Sequence, residues 1–325
     1  MWIIVIVVVL AAALWLGLRV KPTPFPAYAG QTALVESVPL PDNLPVPVAR
    51  YFKAAVGDRI PVVHSAVISG TGSLKFQGVT FHSRWRFIHD AGYGYRHYIE
   101  TTLFGMPLLK VNEWYLDGKS RLELPFGIVG QGAKTDTAAA LGLWAESVWL
   151  PTVFITDPRV RWEAMDDTHA RLVIPSGDGE DSLTITFDPQ TGLMSQIEAL
   201  RWRDEKSIDK ILWSNHISGW RAFHGIRVPS PTAITWQDQG FAWFTPVVED
   251  VAYNVDVSAS CAGAGCKLSG GGFSCRQGVT AVRPYRCCRM CLQRFQRRQF
   301  FLAQRHAEDV VSGVDVHDLA RDRRA

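Results

Sequence analysis

Thr80-Phe81-His82-Ser83-Arg84-Trp85-Arg86-Phe87 alternates with a period of two. Phe81, Trp85 and Phe87 fall on one face, and His82, Arg84 and Arg86 on the other, as in a strand with one side buried. Working outward, similar strands are expected around 62–70, 94–103, 108–116 and 119–124. They resume near 160–165, 168–174, 181–187, 193–203, 209–219, 226–236 and 241–255. Phe187-Asp188-Pro189-Gln190-Thr191-Gly192-Leu193 supplies a hairpin turn, because Pro presets φ and Gly accepts a positive one. Gly70-Thr71-Gly72 reads as a further turn and not as a dinucleotide fingerprint.

Two segments carry a helical pattern instead. Asn43 to Gly57 has prolines suited to a first turn, Asp42 or Asn43 to cap it, and Gly57 to end it. Asp136 to Trp149 contains Ala138, Ala139, Ala140 and Leu141, all strong helix formers, and Pro151 stops it. Many sequential strands with short turns, plus two helices, predict an α+β fold. It is a strongly curved antiparallel meander, a half-barrel, with helices packed on its concave side.

The first eighteen residues, Met1 to Leu18, have no charged side chain, and Arg19, Lys21 and a Pro-rich stretch follow. As a helix they extend about 27 Å, close to the roughly 30 Å of a bilayer core. Trp2 and Trp15 stand near the ends, where amphipathic rings favour the interface. A retained single transmembrane helix is the preferred reading. A cleaved signal peptide would want basic residues before the apolar run, and its A-x-A form, Ala27-Tyr28-Ala29, comes late. A buried core helix would keep a polar face. Arg19 and Lys21 would place the following domain in the cytoplasm by the positive-inside rule.

The net charge of +3 over 325 residues conceals a break. Residues 1–260 hold 22 Lys and Arg against 26 Asp and Glu, whereas residues 261–325 hold 12 against 5. All six cysteines lie between Cys261 and Cys291. The expected organisation is a transmembrane helix at 1–20, a linker at 21–42, the β domain at 43–257 and a Cys/Arg-rich tail at 258–325. The tail has one C-x-x-C, Cys288 and Cys291, where a zinc site usually wants two such pairs. Arg294, Arg297 and Arg298 make too short a basic run to argue for nucleic acid.

Leu44-Pro45-Val46-Pro47-Val48-Ala49-Arg50-Tyr51-Phe52 resembles the opening of an uncharacterised bacterial family, a domain of unknown function whose members often carry an N-terminal membrane segment. The resemblance continues through Leu143-Trp144-Ala145-Glu146-Ser147-Val148-Trp149-Leu150-Pro151, the Phe187 to Gly192 turn, Trp213 and Trp220, and ends near Tyr253-Asn254-Val255-Asp256-Val257. It implies no catalytic residue. The layout is also similar to the half-barrel of bacterial lipoprotein carriers, which hold acyl chains between sheet and helices. That similarity implies a domain outside the cytoplasm, against the charge count.

Candidate ligand-binding residues are Trp85, Trp114, Trp162 and Trp213 as an aromatic lining, Arg84 and Arg86 for an anionic group, and Glu146 at a pocket mouth. Each has a plainer reading: the tryptophans as core, the arginines as a solvated outer face, Glu146 as solvent-facing or paired with Arg. Arg96 and His97 are expected on the neighbouring strand. The acidic stretch Ser176 to Asp181 lacks EF-hand spacing and reads as a solvated turn. No G-x-S-x-G, H-E-x-x-H or Walker loop is present. No metal, cofactor or nucleic acid is therefore expected. The expected partners are the membrane, through residues 2–18, and a lipid or other apolar molecule. The leading function is membrane-anchored binding of that ligand. The alternatives are a hydrolase or lipid-modifying enzyme using His82 or His97 with a carboxylate, and an envelope interaction module without a pocket.

Overall fold

The computed structural model describes residues 1–261 except Gln31, Val35 and Asp178, together with the backbone of Cys266–Ser269 and Gly272–Cys275. The remaining cysteines and the basic run of the tail lie outside the described residues. The chain divides into two units, residues 1–264 and 265–325.

The first unit begins with α1 (Trp2–Arg19), whose one buried residue is Gly17. A short ribbon follows, β1 (Ser37–Pro39) paired with β2 (Arg59–Pro61), with α2 (Val46–Ala55) between them. Pro45 stands at the N-cap of α2 with no side-chain cap, so the helix starts on the prolines and not on Asp42 or Asn43. Val48, Tyr51, Phe52 and Ala55, at three- and four-residue spacing, are its buried stripe.

The next strands are β3 (Ser65–Phe76), β4 (Val79–Asp90), β5 (Gly94–Leu103), β6 (Met106–Leu116), β7 (Lys119–Leu124) and β8 (Gly127–Gly130). Then come α3 (Ala133–Glu146), a 3-10 turn at Ser147–Trp149, and α4 (Val153–Thr156). The chain returns as β9 (Arg161–Ala164), β10 (His169–Ser176), β11 (Gly179–Phe187), β12 (Met194–Arg201) and β13 (Ile211–Ile217). A small ribbon of β14 (Trp220–Phe223) and β15 (Ile226–Pro229) precedes β16 (Thr232–Trp236), β17 (Phe241–Tyr253) and a short turn of helix, α5 (Ser258–Cys261). In the second unit, β18 (Cys266–Ser269) pairs with β19 (Gly272–Cys275).

Thirteen strands form one sheet in the order β8-β7-β6-β5-β4-β3-β17-β16-β13-β12-β11-β10-β9. Every pairing in it is antiparallel, and β17 returns beside β3 to join the two halves of the meander. The α+β half-barrel expected from the alternation is therefore the fold. The expected single strand over 226–236 is broken, with Pro229 ending β15 and Pro231 preceding β16. Gly70 and Gly72 are not a turn but the middle of β3. A Cβ on Gly70 would stand 2.0 Å from the Val247 oxygen and 2.7 Å from the Trp85 ring, so glycine there lets an indole lie across the sheet.

One face of the sheet carries the core. Trp85 stacks on Trp149 at 5.5 Å, and Phe87 and Phe244 close around them. Leu141, Trp144, Ala145 and Val148, from α3 and the turn after it, pack into the same cluster, as do Tyr51 and Phe52 of α2. The inner face is filled by these side chains. On the outer face the linker lies along β4 and β17: Arg84 Nη1 donates to the Thr23 oxygen at 3.3 Å, Arg86 Nη2 to the Pro26 oxygen, and the Tyr28 amide to Asp250 at 3.1 Å.

Candidate functional site

The period-two pattern of β4 runs past Phe87 to His89, which puts an imidazole on the apolar face. In the antiparallel register His89 stands opposite Tyr95, and Phe87 opposite His97. His97 in turn stands opposite Glu113 of β6. Above them, Glu146 closes the last turn of α3, and Arg201 reaches in from the end of β12. His89, Tyr95, His97, Glu113, Glu146 and Arg201 form a polar nest among the core side chains.

Its geometry is specific. His97 Nε2 lies 2.7 Å from Glu146 Oε2, off the line that a hydrogen bond requires. His89 Nε2 lies 3.6 Å from the same oxygen. On its other side, His97 Nδ1 is 3.5 Å from Glu113 Oε2. The Tyr95 hydroxyl donates to Glu113 Oε1 at 2.8 Å, and its ring stacks on His97 at 3.9 Å. Arg201 Nη2 donates to the Ala138 carbonyl at 2.8 Å while its guanidinium lies over Trp213. His89 is fully buried, and neither of its ring nitrogens has a hydrogen-bond partner.

The environment separates the two imidazoles. Burial, reinforced by neighbouring His97, pushes His89 well below the usual histidine range. Burial also opposes a charge on His97, but the carboxylates of Glu146 and Glu113 outweigh it and lift the ring to about 9. Burial raises Glu146, with Glu113 adding to the effect and His97 opposing it. Glu113 is held below the ordinary range: its burial cost is overcome by His97 and Tyr95.

The residues singled out from sequence divide between the two faces. Trp85 and Trp213 are buried on the inner face, and Trp162 lies half-buried against Phe154 and Phe187. Glu146 faces inward and meets two histidines, with a fifth of its side chain still exposed. Trp114 lies on the opposite face, between the guanidinium groups of Arg96 and Arg121. Arg84 pairs with Glu100 at 2.7 Å, and Arg86 donates to Ser69 at 2.9 Å, so both hold the linker and their own sheet. Arg96 and His97 alternate, which sends only His97 to the nest; His82 lies on the outer face with Arg84. In the acidic turn, Glu180 pairs with Arg161 and Asp181 with Lys210. His89 and Glu113 were missed. The signal for His89 was there, since a histidine in phase with Trp85 and Phe87 must be buried.

A second feature lies at the edge of the sheet formed by the β3–β4, β5–β6, β7–β8 and β16–β17 connections. An open cleft of about 380 Å³ there is lined by Lys75, Phe76, Trp236, Phe241 and Trp243 among others. α1 ends at the same place: the Phe104 amide donates to the Gly17 oxygen at 2.8 Å. In and beside the turns of this edge, Phe104, Met106, Leu108 and Phe126 are exposed, Met106 by 65%.

Residues 34–245 match a family of unknown function, DUF6544. No curated protein sequence matches the chain. Among solved structures, a DUF1329 family protein from Desulfovibrio piger is similar at 12% identity and a TM-score of 0.37, over 61% of this chain and 90% of that one. A LolA superfamily protein from Nitrosomonas europaea is similar at 8% identity and a TM-score of 0.38, over 67% and 96%. An outer membrane lipoprotein-sorting protein domain from Vibrio parahaemolyticus is similar at 8% and 0.33, over 64% and 89%.

Proposed function

We propose, on the premise that this chain belongs to DUF6544, a family of unknown function, that it is a single-pass membrane-anchored protein whose half-barrel handles lipid at the bilayer surface. The observation that carries this reading is the junction of Gly17 and Phe104. It ties the end of an eighteen-residue apolar helix to the turn end of the sheet. A helix that spans the bilayer then sets that end at the interface, where exposed Phe104, Met106, Leu108 and Phe126 lose less by meeting lipid than water. Arg19 and Lys21, just past the apolar run, suit the headgroup level. The aromatic cleft of Phe76, Trp236, Phe241 and Trp243 opens at the same end and fits an acyl chain or similar apolar group. Lys75, its Nζ 3.6 Å from the centre of the Phe241 ring, adds a cation beside it. With Trp85, Trp149 and Phe244 filling the inner face, the ligand is engaged at the rim and not between sheet and helices.

The test is photo-cross-linking of the full chain in native membranes. A benzoylphenylalanine in place of Met106 or Leu108 is expected to capture phospholipid. One in place of Met165, exposed at the opposite end of the strands, is not. Equal capture at all three positions, or capture at none, counts against the reading.

A further inference from the structure

We propose that His89, His97 and Glu146 are the protein ligands of a divalent transition-metal ion that favours nitrogen and oxygen donors, of the zinc class. One ligand atom from each lies within 4.8 Å of the others. Three donors about 2.0–2.1 Å from a tetrahedral zinc stand about 3.3 Å apart, so modest rotamer adjustment brings this set onto one ion. Two imidazoles and one carboxylate, with a further position left open, are a donor set that zinc and iron(II) both accept.

The second observation is His89 itself. It is fully buried and aimed into the cluster, and both its nitrogens lack a hydrogen-bond partner. Glu146 Oε2 and His97 Nε2 stand 2.7 Å apart, off hydrogen-bond geometry, and have no other hydrogen-bond partner. A buried nitrogen left unpaired carries the full penalty of its lost hydration. A cation shared among the three donors gives a partner to one atom of each, His89 included. The surroundings are those of a ligating histidine: Glu113 sits on the far nitrogen of His97, and Tyr95 holds Glu113. A carboxylate behind a ligating imidazole fixes its tautomer and orientation. The charges also admit a dication. Glu113 and Glu146 with Arg201 leave an excess of one negative charge around neutral imidazoles. The rival arrangement is a proton on His97 balancing the carboxylates, which leaves His89 as it is. This proposal is independent of the lipid reading, since none of His89, His97 and Glu146 lines the cleft.

The test uses the full chain in detergent with the six tail cysteines changed to serine, so that thiolates do not compete. After chelator treatment, zinc is expected to bind at one equivalent, and cobalt(II) in its place to show a nitrogen/oxygen-ligated spectrum without thiolate bands. His89→Ala and the isosteric Glu146→Gln should each weaken zinc binding at least tenfold. Zinc should raise the melting temperature of the parent and not of either variant. Thermal transitions recorded in chelator report whether each variant is folded; if His89→Ala is not, Glu146→Gln decides. Zinc bound equally by the parent and a folded variant, or no zinc bound by the parent, overturns the proposal.

Discussion

The Phe104 amide and the Gly17 carbonyl, 2.8 Å apart, join the apolar N-terminal helix to the β5–β6 turn. Gly17 permits this contact because it has no side chain. A Cβ there would lie 2.6 Å from the Phe104 ring and 2.9 Å from Leu103. Gly17→Val is therefore expected to push the turn away from the helix. Amide exchange at Phe104 should speed up at least tenfold in full-length protein. The melting temperature of the β domain should move by no more than about 2 °C, because none of its core is touched. Unchanged exchange at Phe104 would show that the junction is not formed in the membrane-bound protein.

The two faces of the sheet give their tryptophans opposite roles. Trp85 is fully buried, stacks on Trp149 and donates its Nε1–H to the Thr71 oxygen at 2.9 Å. Trp85→Ala is expected to cost about 3–5 kcal/mol in denaturant unfolding, the range for a large core aromatic. Trp114 lies on the outer face between two arginines, and Trp114→Ala should cost no more than about 1 kcal/mol. Similar losses at both positions would contradict this division.

Glu100 couples the linker clamp to pH. It is buried on the outer face and accepts from Arg84 at 2.7 Å and from Tyr98 at 2.6 Å. Burial raises its affinity for a proton, but Tyr98 and Arg84 more than compensate and hold its pKa below the ordinary range. A carboxyl lowered in the folded state stabilises fully above its unfolded pKa of about 4.3. That contribution is lost as pH falls through the lowered value. Glu100→Gln should thus cost about 1–3 kcal/mol at pH 7, and the difference from the parent should shrink on titration below pH 4. A difference that is constant with pH would mean that the Arg84 pairing contributes nothing.

Much of this architecture was legible because alternation is a local signal. Phe81, Trp85 and Phe87 fixed which side of β4 faces the core, and the same phase carried to its end places His89 there. What sequence could not supply is which strands stand opposite one another. His97 and Glu146 are far apart in the chain, and only the register of β4 on β5 and the docking of α3 bring them to 2.7 Å. For the same reason Trp114 was grouped with Trp85, although its strand offset sends it to the other face. Arg84 and Arg86 face outward as the alternation implies, but the linker carbonyls they hold lie in a segment with no periodicity to read. Gly70 and Gly72 look like a turn because glycine commonly marks one; the close backbone of β17, and at Gly70 also the Trp85 indole, explain them.

That indole supplies a sharp prediction. In β3, Gly70 stands opposite Trp85 on one side and Val248 on the other. A methyl at this position meets the Val247 carbonyl oxygen at 2.0 Å and the Trp85 ring at 2.7 Å. The first contact is with backbone and cannot be relieved by a rotamer change, so β3 and β17 must separate locally. This pairing joins the two halves of the thirteen-stranded sheet. Gly70→Ala should therefore destabilise the domain by about 3 kcal/mol or more, at the upper end for overpacking, and should displace Trp85 from the Thr71 oxygen. Denaturant unfolding measures the first effect, and the Trp85 indole N–H resonance or its exchange rate measures the second. A loss below about 0.5 kcal/mol would mean that the strands pair differently from the register described.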